Sequence, residues 1–392
     1  MDPRLYNYEN GEIDLPDYSQ DLSLDSFKPV DLTMGFDTTT GRKSLLYTGT
    51  PLNSYFAQFY IFDKHKDKIC FPRYQNFGDF KLTWGCQLST RVVSQALNLN
   101  VPDSGEYYDP LSWWSLSESK YINPSDVFEY REKLEQLYNE GNLPVFWLLE
   151  DPPIEEMKHL LQTCQKRFIA IPFDHKSCFA VGHANYLIYD RKENIVERFQ
   201  PHSLEELDFI NYNYHRTDDA IKEFFTLVLG NNSFKYIRSI DICPVGIQTM
   251  FENIDPDVVE AFDNPNGYCQ IWSLWYLDLR LTYPDVNSQD IYITAVAYRN
   301  HKMRMYLFIR NYIEFLIEKK KTILIKIIPD IMREDTQLAE NLINYIDLLI
   351  ENKDNLSLEE RSDTLIFFER MISRSTEVIS KYIYKYLNEE LN

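Results

Sequence analysis

The stretch "HANYLIYDRKENIVERFQP", residues 183–201, holds two short apolar runs, 184–190 and 194–199, joined by the polar link "DRKEN". Runs of this length, rich in β-branched and aromatic side chains and bounded by turn residues, form strands, and so short a link closes them as an antiparallel hairpin. A hairpin needs neighbours to bury its faces. "LPVFWLLE" (143–150), "RFIAIPF" (167–173) and "FKYIRSIDI" (234–242) read as further strands of the same sheet. Helices are expected around it. "CQLSTRVVSQALNL" (86–99) has apolar residues at helical spacing, and "PSDVFEYREKLEQLYNEG" (124–141) runs from a Ser125 or Asp126 cap to Gly141. "DDAIKEFFTLVLG" (218–230) is a third helix, and the run after Cys269 in "NPNGYCQIWSLWYLDLRL" (264–281) is a fourth, buried and rich in aromatic residues.

The 392 residues, 44% hydrophobic and 15% aromatic, are enough for a sizeable core. A net charge of −20, with a single compact basic run at 318–321, opposes binding to a phosphate backbone, so no nucleic-acid partner is expected. There is no basic-plus-apolar leader, and the apolar runs are broken by charge short of a membrane span, so no membrane role is expected. The six cysteines (70, 86, 164, 178, 243 and 269) are widely spaced with no C-x-x-C pair, a pattern that suits free thiols in a reducing compartment.

Three regions follow. Residues 1–60 lack any sustained period and read as an irregular N-terminal arm; 61–300 hold the mixed strands and helices of the core. Residues 301–392 form a helical C-terminal appendage with apolar i, i+3, i+4, i+7 spacing, which could pack on the core or dock a protein partner. "GFDTTTGRKS" (35–44) has the wrong glycine spacing for a phosphate loop and no strand leading into it.

One constellation could carry chemistry. Cysteine catalysis needs a thiolate, an imidazole to move the proton, a group to orient that imidazole, and donors for the oxyanion. His183 stands at the start of one hairpin strand and Gln200 at the end of the other, so the hairpin brings them side by side. Cys269 opens a helix, whose N-terminal field lowers a thiol pKa. Asn264, five residues upstream, is an amide able to serve the oxyanion, with Gln248 and Asn266 as nearby substitutes.

That order resembles the SUMO-protease and adenain clan of cysteine peptidases, including the thiol proteases of large DNA viruses. The resemblance rests on "HANYLIYDRKENIVERFQP" and "NPNGYCQIW" and covers roughly residues 167–285. It implies an α+β papain-like fold and a cysteine endopeptidase in which Cys269 is the nucleophile, His183 the base, Gln200 the orienting group and Asn264 the oxyanion amide. It further implies no cofactor, a protein substrate that is a viral structural precursor or a ubiquitin-like conjugate, and a place in the host cytoplasm or the virion. Gln200 stands where the clan usually has an acid, so a catalytically silent relative with a structural or docking role is the alternative.

Other candidates compete. Cys86 also follows a glycine at an expected helix start, in "TWGCQLSTRVVSQAL", similar to the W-G-C helix of autophagy-related cysteine proteases. His202 reads as a surface-turn histidine, with the base in place of His183 as its alternative. Cys164, His175, Cys178 and His183 form no zinc-ligand spacing, so no metal is expected.

Overall fold

The hairpin forms as its spacing predicts. His183–Asp190 and Ile195–Phe199 pair antiparallel, with Tyr186 opposite Phe199 and Asp190 opposite Ile195. Asn194 closes the turn in a left-handed conformation (φ 53°), which asparagine tolerates better than most residues. The computed structural model describes residues 51–70, 82–98, 107–108, 126–176 (except 144 and 151), 183–202, 214–247 (except 243–245), 268–297, 302–350 and scattered positions between 364 and 385.

Within these, the chain order is α1 (Pro51–Lys64), β1 (Ile69–Cys70), β2 (Leu82–Ser89), α2 (Thr90–Leu97), β3 (Tyr107–Tyr108), α3 (Val127–Asn139), β4 (Phe146–Glu150), α4 (Ile154–Thr163) and β5 (Phe168–Lys176). There follow β6 (His183–Asp190), β7 (Ile195–Phe199), α5 (Tyr214–Leu229), β8 (Lys235–Ile237), α6 (Ser239–Ile242), α7 (Tyr268–Thr282), α8 (Ser288–Ala297), α9 (Lys302–Glu334) and α10 (Thr336–Ile350). The strands make one mixed sheet in the order β3-β2-β5-β6-β7-β8, with β1 also on β5 and β4 also on β2. Neighbours β5, β6 and β7 are antiparallel, whereas β2 and β1 run parallel to β5, and β8 runs parallel to β7.

Strand alternation divides the side chains between two layers. Phe168, Ala170, Tyr186, Ile188 and Phe199 face a core shared with α1, α7, α9 and α10. Ile169, Ile171, Phe173, Leu187 and Val196 face a second core built with α4 and α5. The first core runs without a break from the sheet to Ile383, so the helices beyond 301 pack on the sheet layer through α1 and α7. Lys320, inside the basic run at 318–321, is buried and donates to the Tyr345 hydroxyl, joining α9 to α10.

Several expectations are corrected. The run 86–99 is a strand up to Ser89 and a helix only from Thr90, because Cys86 pairs with Trp147 of β4 while the Ser89 side chain caps the helix by accepting from Val92 N–H. The run 234–242 is a strand over only three residues. Asp241 then accepts from the Arg238 N–H and guanidinium and bends the chain into α6. The boundary drawn at residue 60 falls inside α1, a helix held by Phe56, Phe59 and Ile61 in the first core. Nor are the cysteines all thiols. Cys70 and Cys164 form a disulfide across 94 residues, and Cys86 is disulfide-bonded as well, its partner lying outside the described residues. Spacing gave no sign of this, since the tertiary fold creates the pairing.

Helix α7 is buried on all sides, so its two charges need internal partners. Asp278 accepts from Lys64 Nζ at 2.7 and 3.0 Å and lies 2.6 Å from His65 Nε2, which fastens α1. Arg280 donates to Glu197 at 2.7 Å and reaches Asp190 at 3.4 Å, which fastens the hairpin. Replacing Asp278 by Ala removes the acceptor of Lys64 and His65 and should cost about 3 kcal/mol or more, read as a drop in urea midpoint. Lys192→Ala, on the surface, should change stability by less than about 0.5 kcal/mol.

Candidate functional site

His183 begins β6 and Gln200 directly follows β7, so the antiparallel register returns the two to the same end of the sheet. Gln200 Oε1 lies 2.7 Å from His183 Nε2 and accepts from His202 N–H, also at 2.7 Å. Because a main-chain N–H can only donate, the second contact fixes the amide orientation: the atom facing His183 is the oxygen. His183 therefore carries a proton on Nε2. The Ser239 hydroxyl holds the Gln200 main chain, accepting from its N–H at 2.9 Å and donating to its C=O at 3.1 Å.

Cys269 is the second residue of α7, as expected, and is partly exposed. Ser273 anchors this end, donating to Cys269 C=O at 2.8 Å and to Ala184 C=O at 3.2 Å, so the cysteine sits against the start of β6. The expected drop in thiol pKa is not found. Burial pushes the Cys269 thiol above its ordinary value and the Asp174 charge adds to the rise, while main-chain groups of Ala184, Gln270 and Cys269 itself oppose it. Desolvation thus outweighs the helix field. Asn264, Gln248 and Asn266 lie outside the described residues.

The other candidates resolve differently. Cys86 is fully buried within β2 and disulfide-bonded, so it is no nucleophile. Cys164 is committed to Cys70, Cys178 lies outside the described residues, and among the described residues no group of three or more His, Cys, Asp or Glu could hold a metal ion. His202 is not a surface residue: it is buried, and its ring packs edge-on against His183 with centroids 4.9 Å apart.

A polar layer beside this site escaped the sequence reading. His175, opposite His183 in the β5–β6 register, is buried and held neutral, its pKa pushed well below the usual histidine value by burial and then by Arg198 and His183. Buried Arg198 pairs with buried Asp218 of α5 at 2.8 Å. The signal was present in "VERF", because adjacent charged residues in a strand point to opposite faces and both must find partners in a doubly covered sheet.

No family model matches the chain, and no solved structure matches it significantly. A chain of Acanthamoeba polyphaga mimivirus, named as an ankyrin repeat protein, is 33% identical over 140 residues. The match covers 33% of this chain and 18% of the relative, so the chain spans under a fifth of the length of the curated relative it matches. This overturns the resemblance to the SUMO-protease and adenain clan and the cysteine-endopeptidase function drawn from it: the relative is named for ankyrin repeats and no peptidase family matches. At the site itself, the amide of Gln200 brings no charge to the imidazole it holds, unlike a carboxylate. The papain-like fold has no solved structure to rest on, and the described architecture is mixed α/β. Among the described residues no helix is long and apolar enough to cross a membrane.

Two outcomes follow. Gln200→Leu removes the acceptor for two buried donors and should cost about 2 kcal/mol or more, whereas Gln200→Glu keeps an acceptor and should lose less, as denaturant midpoints will report. Because its pKa is raised, Cys269 stays protonated at neutral pH, so its alkylation rate should climb with pH to a midpoint above the value of about 8.5 for an ordinary thiol. A midpoint below that value would contradict the burial argument.

Proposed function

We propose that this chain is a protein-binding module whose sheet layer is the scaffold and whose C-terminal helices carry the docking surface. One observation carries the reading: of six large apolar side chains that stay exposed among the described residues, four (Ile325, Ile343, Phe367 and Val378) lie at or beyond position 325. Helices that bury one apolar stripe while leaving further large apolar side chains in water are suited to a partner surface. The buried stripe of α9 is complete without Ile325, running through Ile313, Leu316, Lys320, Leu324, Ile327 and Ile331. Folding of the chain therefore leaves Ile325 available.

The mimivirus relative supports a role in protein binding, since stacked helical repeats present extended recognition surfaces. No 33-residue repeat is found in this chain, so what carries over is the kind of partner rather than the repeat. The viral source of the relative supports the host cytoplasm or the virion as the place of action.

Affinity capture from infected cells, quantified for the full chain against an Ile325→Asp/Phe367→Asp double variant, tests this. A partner should fall about tenfold or more with the variant, and remain with a Leu227→Asp control on α5. Equal capture by all three chains refutes the docking surface.

A further inference from the structure

The Cys70–Cys164 disulfide joins the short strand β1 to the end of α4 on one face of the sheet. Cys70 ends β1, a two-residue strand that lies parallel to the first rungs of β5, with Ile69 opposite Phe168 and Cys70 opposite Ile169. Cys164 is the C-cap of α4. Cys70 packs against the second core, to which Cys164 belongs, while its neighbour Ile69 points into the first, so the bond ties β1 to α4 on one face of the sheet at its edge. Besides the bond, β1 is held by Phe168 N–H donating to Lys68 C=O at 2.9 Å, by Lys68 and Ile69 N–H donating to His65 C=O at 2.8 and 3.2 Å, by Lys68 Nζ donating to Leu281 C=O at 3.1 Å, and by Ile69 in the first core. Strands this short do not hold a position by main-chain pairing alone.

The two sulfurs also differ. Cys70 is partly exposed, whereas Cys164 is 4% exposed. Lys166 N–H donates to Cys164 Sγ at 3.3 Å, and Arg191 donates to Cys164 C=O. An incoming thiolate can therefore reach the Cys70 sulfur, and the Lys166 N–H can stabilise the sulfur that leaves.

We propose that the Cys70–Cys164 bond is a redox-operated clasp that locks β1 and α4 to the edge of β5 when oxidised and frees that edge when reduced, leaving the β5–β6–β7 sheet in place. The couple is a small dithiol against a small disulfide. A dithiol supplies two electrons and two protons, closing its own disulfide; the Cys70–Cys164 S–S bond breaks and two thiols form. Glutathione disulfide reverses the step and leaves as two glutathione thiols.

Hydrogen exchange on the full chain tests the clasp in three states: equilibrated with glutathione disulfide, reduced with dithiothreitol, and as the Cys70→Ser/Cys164→Ser double variant, in which the Cys86 bridge is retained. Exchange over 66–70 and 160–170 should rise about tenfold or more in the reduced chain and in the variant, while 184–199 stays protected. Glutathione disulfide should restore protection to the wild-type chain and not to the variant. Four results would overturn the proposal: unchanged exchange on reduction, a uniform rise across the sheet, a double variant that does not fold, or alkylation of Cys70 and Cys164 as free thiols after equilibration with glutathione disulfide. The second and third would make the bond a staple of the whole fold.

Discussion

Helix α7 lies between the sheet and the outer helices with almost no surface of its own, yet it carries Asp278 and Arg280. Removing two charges from water costs far more than the packing of one side chain recovers, so each must meet an opposite charge inside the protein. Asp278 meets Lys64, with His65 Nε2 as a further hydrogen-bond partner, and Arg280 meets Glu197 and Asp190. Much of the architecture follows from these two demands. One fixes α1 against the outer face of α7, and the other fixes the β6–β7 hairpin against its inner face. Phe199 and Tyr276 then stack at 4.0 Å between sheet and helix. The network extends outward as well, since Glu197 also takes Ser288 of α8 and Asp190 also takes Arg167 of the segment before β5.

The polar end of the sheet obeys a different rule. There stand an imidazole held by an amide, a second imidazole kept unprotonated by burial, and a thiol whose proton is retained. In a dry environment a neutral hydrogen-bonded set is less costly than separated charges. The hydrogen bonds orient the rings firmly. They do not supply the field that would ionise the thiol, and the same residues that suggested catalysis are consistent with a structural polar layer.

Legibility differed from element to element. The hairpin was plain because period, length and turn chemistry agree within nineteen residues, 183–201. Helix α7 was plain because a cap-compatible turn precedes an uninterrupted apolar run. In contrast, 86–89 has the apolar spacing of a helix and became a strand because β4 pairs with Cys86 and Gln87 and β3 with Leu88 and Ser89. His202 looked like a turn residue and is buried, since Gly246 packs so closely on its backbone that even a Cβ there would clash with it. The neighbourhood of His183 and Gln200 was readable from register alone; the protonation of Cys269 was not, because it depends on how much water the surrounding elements exclude.

Local pattern by itself determined the hairpin, most of the helices, the amphipathic C-terminal region and the placing of Cys269 at a helix start, because periodicity, capping and turn preference act over a few neighbouring residues. Only the tertiary structure decided which charges are buried and paired, which cysteines are joined, and which way the pKa values move. Those outcomes depend on distance and solvent exclusion between segments as far apart as Cys70 and Cys164 or Lys64 and Asp278, and no local pattern encodes the space between them.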